Sequence, residues 1–181
     1  MTDTKDKIEN TFKILERFDH YIEIANSKAT TQISFLITLI VGITALLGYC
    51  EVLNLNKAKI LASIILVLFT ILVALNFFAF YQLSKVILPD TRNLANTSSL
   101  IFYGDISQHP YSTNYVTLLK SISEEDFLAD LGSQTHTLAI ITNAKFSKLI
   151  SATQIILYGI APISIVIVIL TAILKALGGT V

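Results

Sequence analysis

Three long stretches of the chain carry no Asp, Glu, Lys or Arg: residues 29–50, 60–84 and 149–174. Apolar side chains dominate each stretch, and the polar residues within them are uncharged. A helix needs roughly 20 mostly apolar residues to cross the hydrocarbon core of a bilayer, and each stretch is longer than that. The pattern therefore predicts three transmembrane helices, TM1 at 29–50, TM2 at 60–84 and TM3 at 149–174.

Residues 5–28, which precede TM1, alternate between apolar and polar positions with a helical period. Apolar residues recur at gaps of three and four, at Ile8, Phe12, Leu15, Phe18, Ile22 and Ala25. The opposite face is polar and carries Asp6, Glu9, Lys13, Glu16, Glu23 and Asn26. Neither Pro nor Gly separates this stretch from TM1, so the sequence predicts one continuous helix from about residue 5 to residue 49.

A second amphipathic helix is predicted to begin after Ser123, a favourable N-cap residue that three acids follow. Its apolar stripe is Phe127, Leu131, Leu138, Ile141, Phe146 and Leu149. Gln134 interrupts the stripe once, and no Pro or Gly lies between its last residues and TM3. We expect this stripe to pack against the stripe of residues 5–28. Within TM3, Pro162 predicts a bend.

The region between TM2 and TM3, residues 85–148, contains a long connection. Pro89-Asp90 predicts the end of the helix that leaves TM2. The connection that follows, residues 90–122, has about 33 residues, and loops of such length are commonly functional. Residues 99–104 are consistent with a short extended segment or a turn, and residues 112–119 with a short helix.

Basic residues flank the three spans unevenly. Five precede TM1 and five lie between TM2 and TM3, whereas only Lys57 and Lys59 separate TM1 from TM2. Loops rich in Lys and Arg stay in the cytoplasm. The distribution predicts a cytoplasmic N-terminus, a cytoplasmic region at 85–148 and an external hairpin at 51–59.

Composition excludes several classes of function. Charged residues make up 14% of the chain, about half the share of a soluble domain. Thirteen basic and thirteen acidic residues leave no excess for a nucleic-acid partner. Cys50 is the only cysteine, and the three histidines have no metal-ligand spacing. Because no phosphate-binding loop or nucleophile motif is present either, the sequence predicts no enzyme, no metal site and no cofactor.

Several local patterns occur in a defined order along this three-span layout. They are Asn26-Ser27-Lys28-Ala29, Ile101-Phe102-Tyr103-Gly104-Asp105-Ile106, Asp130-Leu131 with Gln134, and Lys145-Phe146. With this set the chain resembles the PycTM family, the transmembrane effectors of Pycsar antiphage systems, from about residue 10 to residue 175. One departure concerns Asn26, where many relatives carry an acid, and it puts a signalling role for that acid in doubt here.

The resemblance implies a function that composition does not reveal. Pycsar systems pair a pyrimidine cyclase with an effector. On infection the cyclase makes cyclic CMP or cyclic UMP, the membrane effector responds, and the inner membrane loses integrity, so that the cell stops growing or dies before the phage spreads. The chain is accordingly expected in the bacterial inner membrane, as a homo-oligomer that binds the nucleotide and perturbs the lipid bilayer.

The resemblance also implies a nucleotide site in the cytoplasmic region. A cyclic nucleotide monophosphate offers one negative charge, a flat base and an edge of hydrogen-bond donors and acceptors, and its site needs matching groups. The candidates are Lys28, Arg92 and Lys145 for the phosphate, Phe102 and Tyr103 for stacking, and Asn26, Asp105 and Gln134 for the base edge.

Six of the eight candidates also have a structural alternative. Lys28 suits an anchor at the membrane interface, and Lys145 suits a solvated or ion-paired helix position. The two aromatic rings can simply pack the connection onto the helices, while Asp105 and Gln134 can cap a helix end or bond between helices.

The sequence thus predicts an all-α membrane protein, a single unit with a small helical cytoplasmic head formed by extensions of the spans. The effector is the preferred function. The alternatives are a membrane anchor or scaffold that recruits a partner through its cytoplasmic helices, and a small channel subunit. The spans contain no charged residue, and ion pathways usually keep some, so the channel has less support.

Overall fold

The computed structural model describes residues 3–50, 52, 59–89 and 99–178. These residues form helices joined by turns, and no β-strand occurs among them. The helices are α1 (Thr4–Tyr49), α2 (Lys59–Ile87), α3 (Tyr103–Ile106), α4 (Ser112–Ser121), α5 (Glu124–Ile155) and α6 (Ala161–Gly178), and a π-helical turn at Ile156–Ile160 joins α5 to α6. The predicted all-α class is confirmed.

Three helical segments are long and apolar enough to cross a membrane: α1, α2 and the run from Glu124 to Ala176. The continuous helix predicted for residues 5–49 is confirmed by α1. The predicted start of the second amphipathic helix is also confirmed, because α5 begins at Glu124. Ser123 caps it, since the Asp126 N–H donates to Ser123 Oγ at 3.1 Å and the Ser123 hydroxyl donates to Asp126 Oδ2 at 2.6 Å.

The chain divides into two compact units that alternate along the sequence. Met1–Ala25 and Leu88–Phe146 make up the first, called the head unit below. Asn26–Ile87 and Ser147–Val181 make up the second, called the membrane unit. Helices α1 and α5 each contribute residues to both units, and α2 and α6 contribute to the membrane unit.

The membrane unit is held together by a seven-residue repeat of buried positions. In α2 the repeat is Ile65, Leu72, Ala79 and Val86. In the π-helical turn and α6 it is Ile160, Ile167 and Leu174. A seven-residue period keeps one narrow seam of each helix facing its neighbour, as in a coiled coil. Accordingly, α2 packs against both α6 and the π-helical turn.

Helix α1 packs in the membrane unit through a row of buried residues, Ala29, Leu36 and Ile43, and through two polar contacts. Gln32 Nε2 donates to Thr153 Oγ1 at 2.8 Å. At the other end of the span, Lys175 Nζ lies 3.5 Å from the centre of the Tyr49 ring, a cation–π contact. This contact places the ends of TM1 and TM3 on the same side of the unit, which the predicted topology requires.

A π-helical turn precedes Pro162, the residue at which the sequence predicts a bend in TM3. Proline has no N–H, and its ring crowds the carbonyl four residues earlier, here that of Tyr158. The chain widens into a π turn before this point, where the Ala161 N–H donates to the Ile156 carbonyl. At Gly159 in the turn a Cβ atom would lie 3.3 Å from Leu75 Cδ1, so the absence of a side chain lets α2 approach closely.

In the head unit, the apolar stripes of α1 and α5 face each other. The rings of Phe12 and Phe127 lie 6.3 Å apart between centroids, and Leu131 is fully buried. The packing is incomplete, however, because Phe12 remains 45% exposed. The expected contact between the stripes is therefore present, but it leaves open space beside it.

Candidate functional site

Two carboxylates fix the turn at residues 99–102, which leads into α3. Asp105 Oδ2 accepts a hydrogen bond from the Ser99 N–H at 2.8 Å. Asp130 Oδ2, on α5, accepts from the Leu100 N–H at 2.8 Å and from Ser99 Oγ at 3.2 Å. Ser99 is almost fully buried, and its hydroxyl oxygen also accepts from the backbone N–H groups of the next turn residues. These hydrogen bonds consequently hold the turn in a defined conformation within the head unit.

Gly104 determines where the Phe102 ring lies. A Cβ atom at position 104 would come within 2.5 Å of Phe102 Cε1, closer than any real contact of that kind. The Phe102 ring therefore folds back over the backbone of Gly104 and contacts the neighbouring Tyr103 ring, with 4.8 Å between their centroids. The short sequence Phe-Tyr-Gly thus presents two rings side by side.

These rings line a groove in the head unit, called the head groove below, with a volume of about 770 Å³. Its walls come from α1, residues 101–103 and α5. Its apolar lining includes Ile101 and four stripe residues that do not pack fully against each other, Phe12, Leu15, Leu138 and Ile141. Sites for small ligands typically enclose 300–1,000 Å³ and are mostly apolar with a few polar groups, so the head groove has the size and lining of a ligand site.

Gln134 is the most informative polar group in the head groove. Its side chain is only 6% exposed, and among the residues that the structure describes its Nε2 has no hydrogen-bond partner. A buried amide N–H without an acceptor costs about 1–3 kcal/mol. Because Gln134 lines the groove, a rotation of its side chain would let an acceptor atom of a ligand satisfy this donor.

The structure brings three of the eight sequence-predicted site residues together. Phe102, Tyr103 and Gln134 line the head groove. Asp105 does not line the groove, and its carboxylate accepts the hydrogen bond from the Ser99 N–H. Lys145 is buried, and its Nζ donates to the Leu88 carbonyl at 3.4 Å, near the end of α2.

Asn26 and Lys28, two of the remaining three candidates, do not line the head groove. Asn26 and Lys28 belong to the membrane unit, where Lys28 is exposed and Asn26 is half-buried. Arg92 lies outside the described residues. Their assignment to a ligand therefore remains a prediction.

The charged lining of the head groove comes from α1. Glu9, Glu16 and Asp19 supply three carboxylates, and Lys13 supplies one ammonium group. Lys13 Nζ lies 2.7 Å from Glu9 Oε1. The hydrogen bond from Lys13, with its positive charge, lowers the pKa of Glu9, and the same contact raises the pKa of Lys13. Both groups are consequently charged at neutral pH, and the described lining carries a net negative charge.

Sequence reasoning missed several residues that build this site. Gly104 and Asp130 stood in the recognised patterns without a role, although Asp130 anchors the turn and Gly104 positions a ring. The sequence pattern places Glu9 and Glu16 on the polar face of residues 5–28 and gives Asp19 no role. Their spacing of seven and three residues, which puts them on one side of a helix, was the available signal.

The chain matches one protein family in comparisons with known proteins. Residues 10–173 match the family described as PycTM, Pycsar effector protein domain. No curated protein and no solved structure matches the chain. Within the part of the chain that the structure describes, no cluster of His, Cys, Asp and Glu is suited to hold a metal ion.

Proposed function

Because the chain belongs to the PycTM family of Pycsar effectors in antiphage defence, we propose that it senses a cyclic pyrimidine nucleotide and responds by impairing the inner membrane. The nucleotide is cyclic CMP or cyclic UMP, made by a partner cyclase, and the chain itself acts without catalysis. The observation that carries the sensing step is the head groove with its unpartnered Gln134 donor.

The lining of the head groove is complementary to a pyrimidine base. Phe102 and Tyr103 offer ring faces for stacking, which is worth roughly 1–3 kcal/mol per base. Both uracil and cytosine carry a carbonyl acceptor at C2, and the Gln134 Nε2 donor can pair with an acceptor on the base edge. Lys13 is the cation within the described lining, and an exposed ion pair such as Glu9–Lys13 is weak enough to exchange partners.

The membrane step depends on helices that belong to both units. α1 has 46 residues and α5 has 32, and each runs from the head unit into the membrane unit without interruption. We propose that nucleotide binding shifts these helices or promotes assembly of several chains, and that the spans then open or perturb the bilayer. A ligand drives such a change only if its affinity differs between the two states.

The orientation follows from where the signal is made. A cytoplasmic cyclase releases its product into the cytoplasm, so the head unit belongs on that side, with the N-terminus cytoplasmic and α1, α2 and the α5–α6 segment crossing the inner membrane. The excess of basic residues at 1–28 and 85–148 supports the same orientation.

A cell experiment tests the proposed function as a whole. Bacteria that express the chain together with an active pyrimidine cyclase should take up a membrane-impermeant dye and stop growing. The same cells with a catalytically inactive cyclase should exclude the dye and grow. Dye exclusion with the active cyclase, from a chain shown to be in the membrane, would contradict the proposal and favour the scaffold alternative.

Substituting Gly104 tests the role of the paired rings. In Gly104→Ala the new methyl group displaces the Phe102 ring, so the affinity for the cyclic nucleotide should fall roughly tenfold through lost stacking. Titration calorimetry of the purified chain measures this. Gly132→Ala is the matched control, because its new methyl group would meet no atom within 4 Å other than the local backbone of its own helix, and its affinity should equal that of the wild type.

A further inference from the structure

The acidic residues of the head groove have no obvious use in binding an anion. A cyclic nucleotide carries one negative charge, yet Glu9, Glu16 and Asp19 all line the groove that is proposed to receive it. One carboxylate, Glu9, is compensated by Lys13 at 2.7 Å. Glu16 and Asp19 remain as the excess negative charge of the described lining.

These two carboxylates line a groove in which a separate observation indicates that a ligand binds. Gln134 is more than nine-tenths buried, lines the same groove and has an Nε2 without a partner among the described residues. The paired rings of Phe102 and Tyr103 form a stacking surface beside it. The base therefore has a favourable surface in this groove, while any negative charge on the ligand meets repulsion.

Repulsion of this kind grows with the charge on the ligand. The cytoplasm holds pyrimidine nucleoside triphosphates that present the same bases as the cyclic nucleotides. Their phosphates carry several negative charges, and their magnesium complexes remain more negative than a cyclic phosphodiester. A sensor that recognised the base alone would be occupied by these abundant nucleotides in uninfected cells.

We propose that Glu16 and Asp19 form an electrostatic filter that admits singly charged cyclic pyrimidine nucleotides and rejects the corresponding triphosphates. This inference rests on the proposed function and adds the basis of its selectivity. Specificity is a difference of affinities, and like charges placed against the wrong ligand are a common way to create it. The binding penalty is small for one charge and larger for several.

A matched pair of double variants tests the filter. In Glu16→Gln/Asp19→Asn, the ratio of the triphosphate Kd to the cyclic nucleotide Kd should fall roughly fivefold to tenfold, chiefly because the triphosphate binds more tightly. Asp6→Asn/Glu23→Gln also removes two negative charges from α1, but from residues outside the groove lining. Its ratio of dissociation constants should equal that of the wild type. Calorimetry with cyclic CMP, cyclic UMP, CTP and UTP gives the four dissociation constants.

Salt dependence of the wild type provides a second test that needs no variant. Raising the salt concentration from about 0.05 M to about 0.5 M shortens the screening length severalfold. Triphosphate binding should therefore strengthen, and the ratio of the triphosphate Kd to the cyclic nucleotide Kd should fall. Circular dichroism establishes that each variant keeps its helices. The salt dependence of the wild type tests the filter even if a variant does not fold.

The outcomes separate the filter from the function on which it rests. If the wild type binds a cyclic pyrimidine nucleotide but binds the triphosphate equally well, the filter is wrong and the proposed function stands. An unchanged ratio in Glu16→Gln/Asp19→Asn leads to the same conclusion. If the wild type binds no cyclic pyrimidine nucleotide, both fail.

Discussion

Replacing Asp130 with alanine should destabilise the head unit and weaken nucleotide binding. The Asp130 carboxylate is the hydrogen-bond acceptor for the Leu100 N–H at 2.8 Å and for Ser99 Oγ at 3.2 Å. Leu100 is 7% exposed, so its N–H would lose its partner in a place that water reaches poorly. An unsatisfied buried donor costs about 1–3 kcal/mol, a large share of the 5–15 kcal/mol that stabilises a typical domain.

The same substitution should also remove the nucleotide site. The turn that Asp130 holds to α5 carries Phe102, whose ring lines the head groove together with Gln134. Without the anchor the ring is free to move away from α5, and nucleotide affinity should fall by at least about tenfold. Thermal unfolding by circular dichroism and calorimetric titration measure the two effects.

Two control variants define the role of Asp130. Asp130→Asn keeps an oxygen acceptor of the same shape and should retain part of the stability and affinity. Asp126→Ala removes a carboxylate from the exposed first turn of α5 and should cost no more than about 1 kcal/mol. Full nucleotide affinity in Asp130→Ala would show that the turn at 99–102 has no part in binding.

Inserting Gly-Pro after Lys28 should separate nucleotide binding from membrane damage. The insertion falls within α1, which is continuous from Thr4 to Tyr49. A proline in a helix interior costs about 3 kcal/mol or more because it removes a hydrogen bond and crowds the preceding turn, so the helix breaks there. The head groove uses α1 residues only as far as Asp19 and should still bind the nucleotide. Dye uptake in cells with an active cyclase should disappear.

A second insertion controls for the added residues themselves. Gly-Pro placed after Pro110 falls in the turn before α4, outside any helix. That variant should retain both nucleotide binding and dye uptake. If the insertion after Lys28 also leaves dye uptake unchanged, the continuity of α1 plays no part in the response.

The helices of this protein could be predicted well from the sequence because they follow from a few strong local signals. The charge-free runs and the amphipathic period of residues 5–28 predicted α1 to within a residue or two at each end. Ser123, followed by acids, predicted the start of α5. The π-helical turn was not predicted in its form, because a proline determines only that the regular hydrogen-bond pattern must change.

The candidate site was predictable only in part, because it depends on contacts between distant segments. Phe102, Tyr103 and Gln134 were expected at a ligand site, and they converge at the head groove. The anchoring role of Asp130 depends on a residue 30 positions earlier in the chain, which no local pattern reveals. Acidic residues such as Glu16 and Asp19 are common on solvated helix faces, and only the tertiary structure places these two at the groove.

Dye release from liposomes shows whether a cyclic pyrimidine nucleotide is enough to make this chain damage a membrane. The purified chain, inserted in vesicles that contain a self-quenched dye, is titrated with cyclic CMP, cyclic UMP and cyclic AMP. We expect release with at least one of the two pyrimidine nucleotides and none with cyclic AMP. No release with either pyrimidine nucleotide, from protein shown to be folded and inserted, would contradict the proposed function.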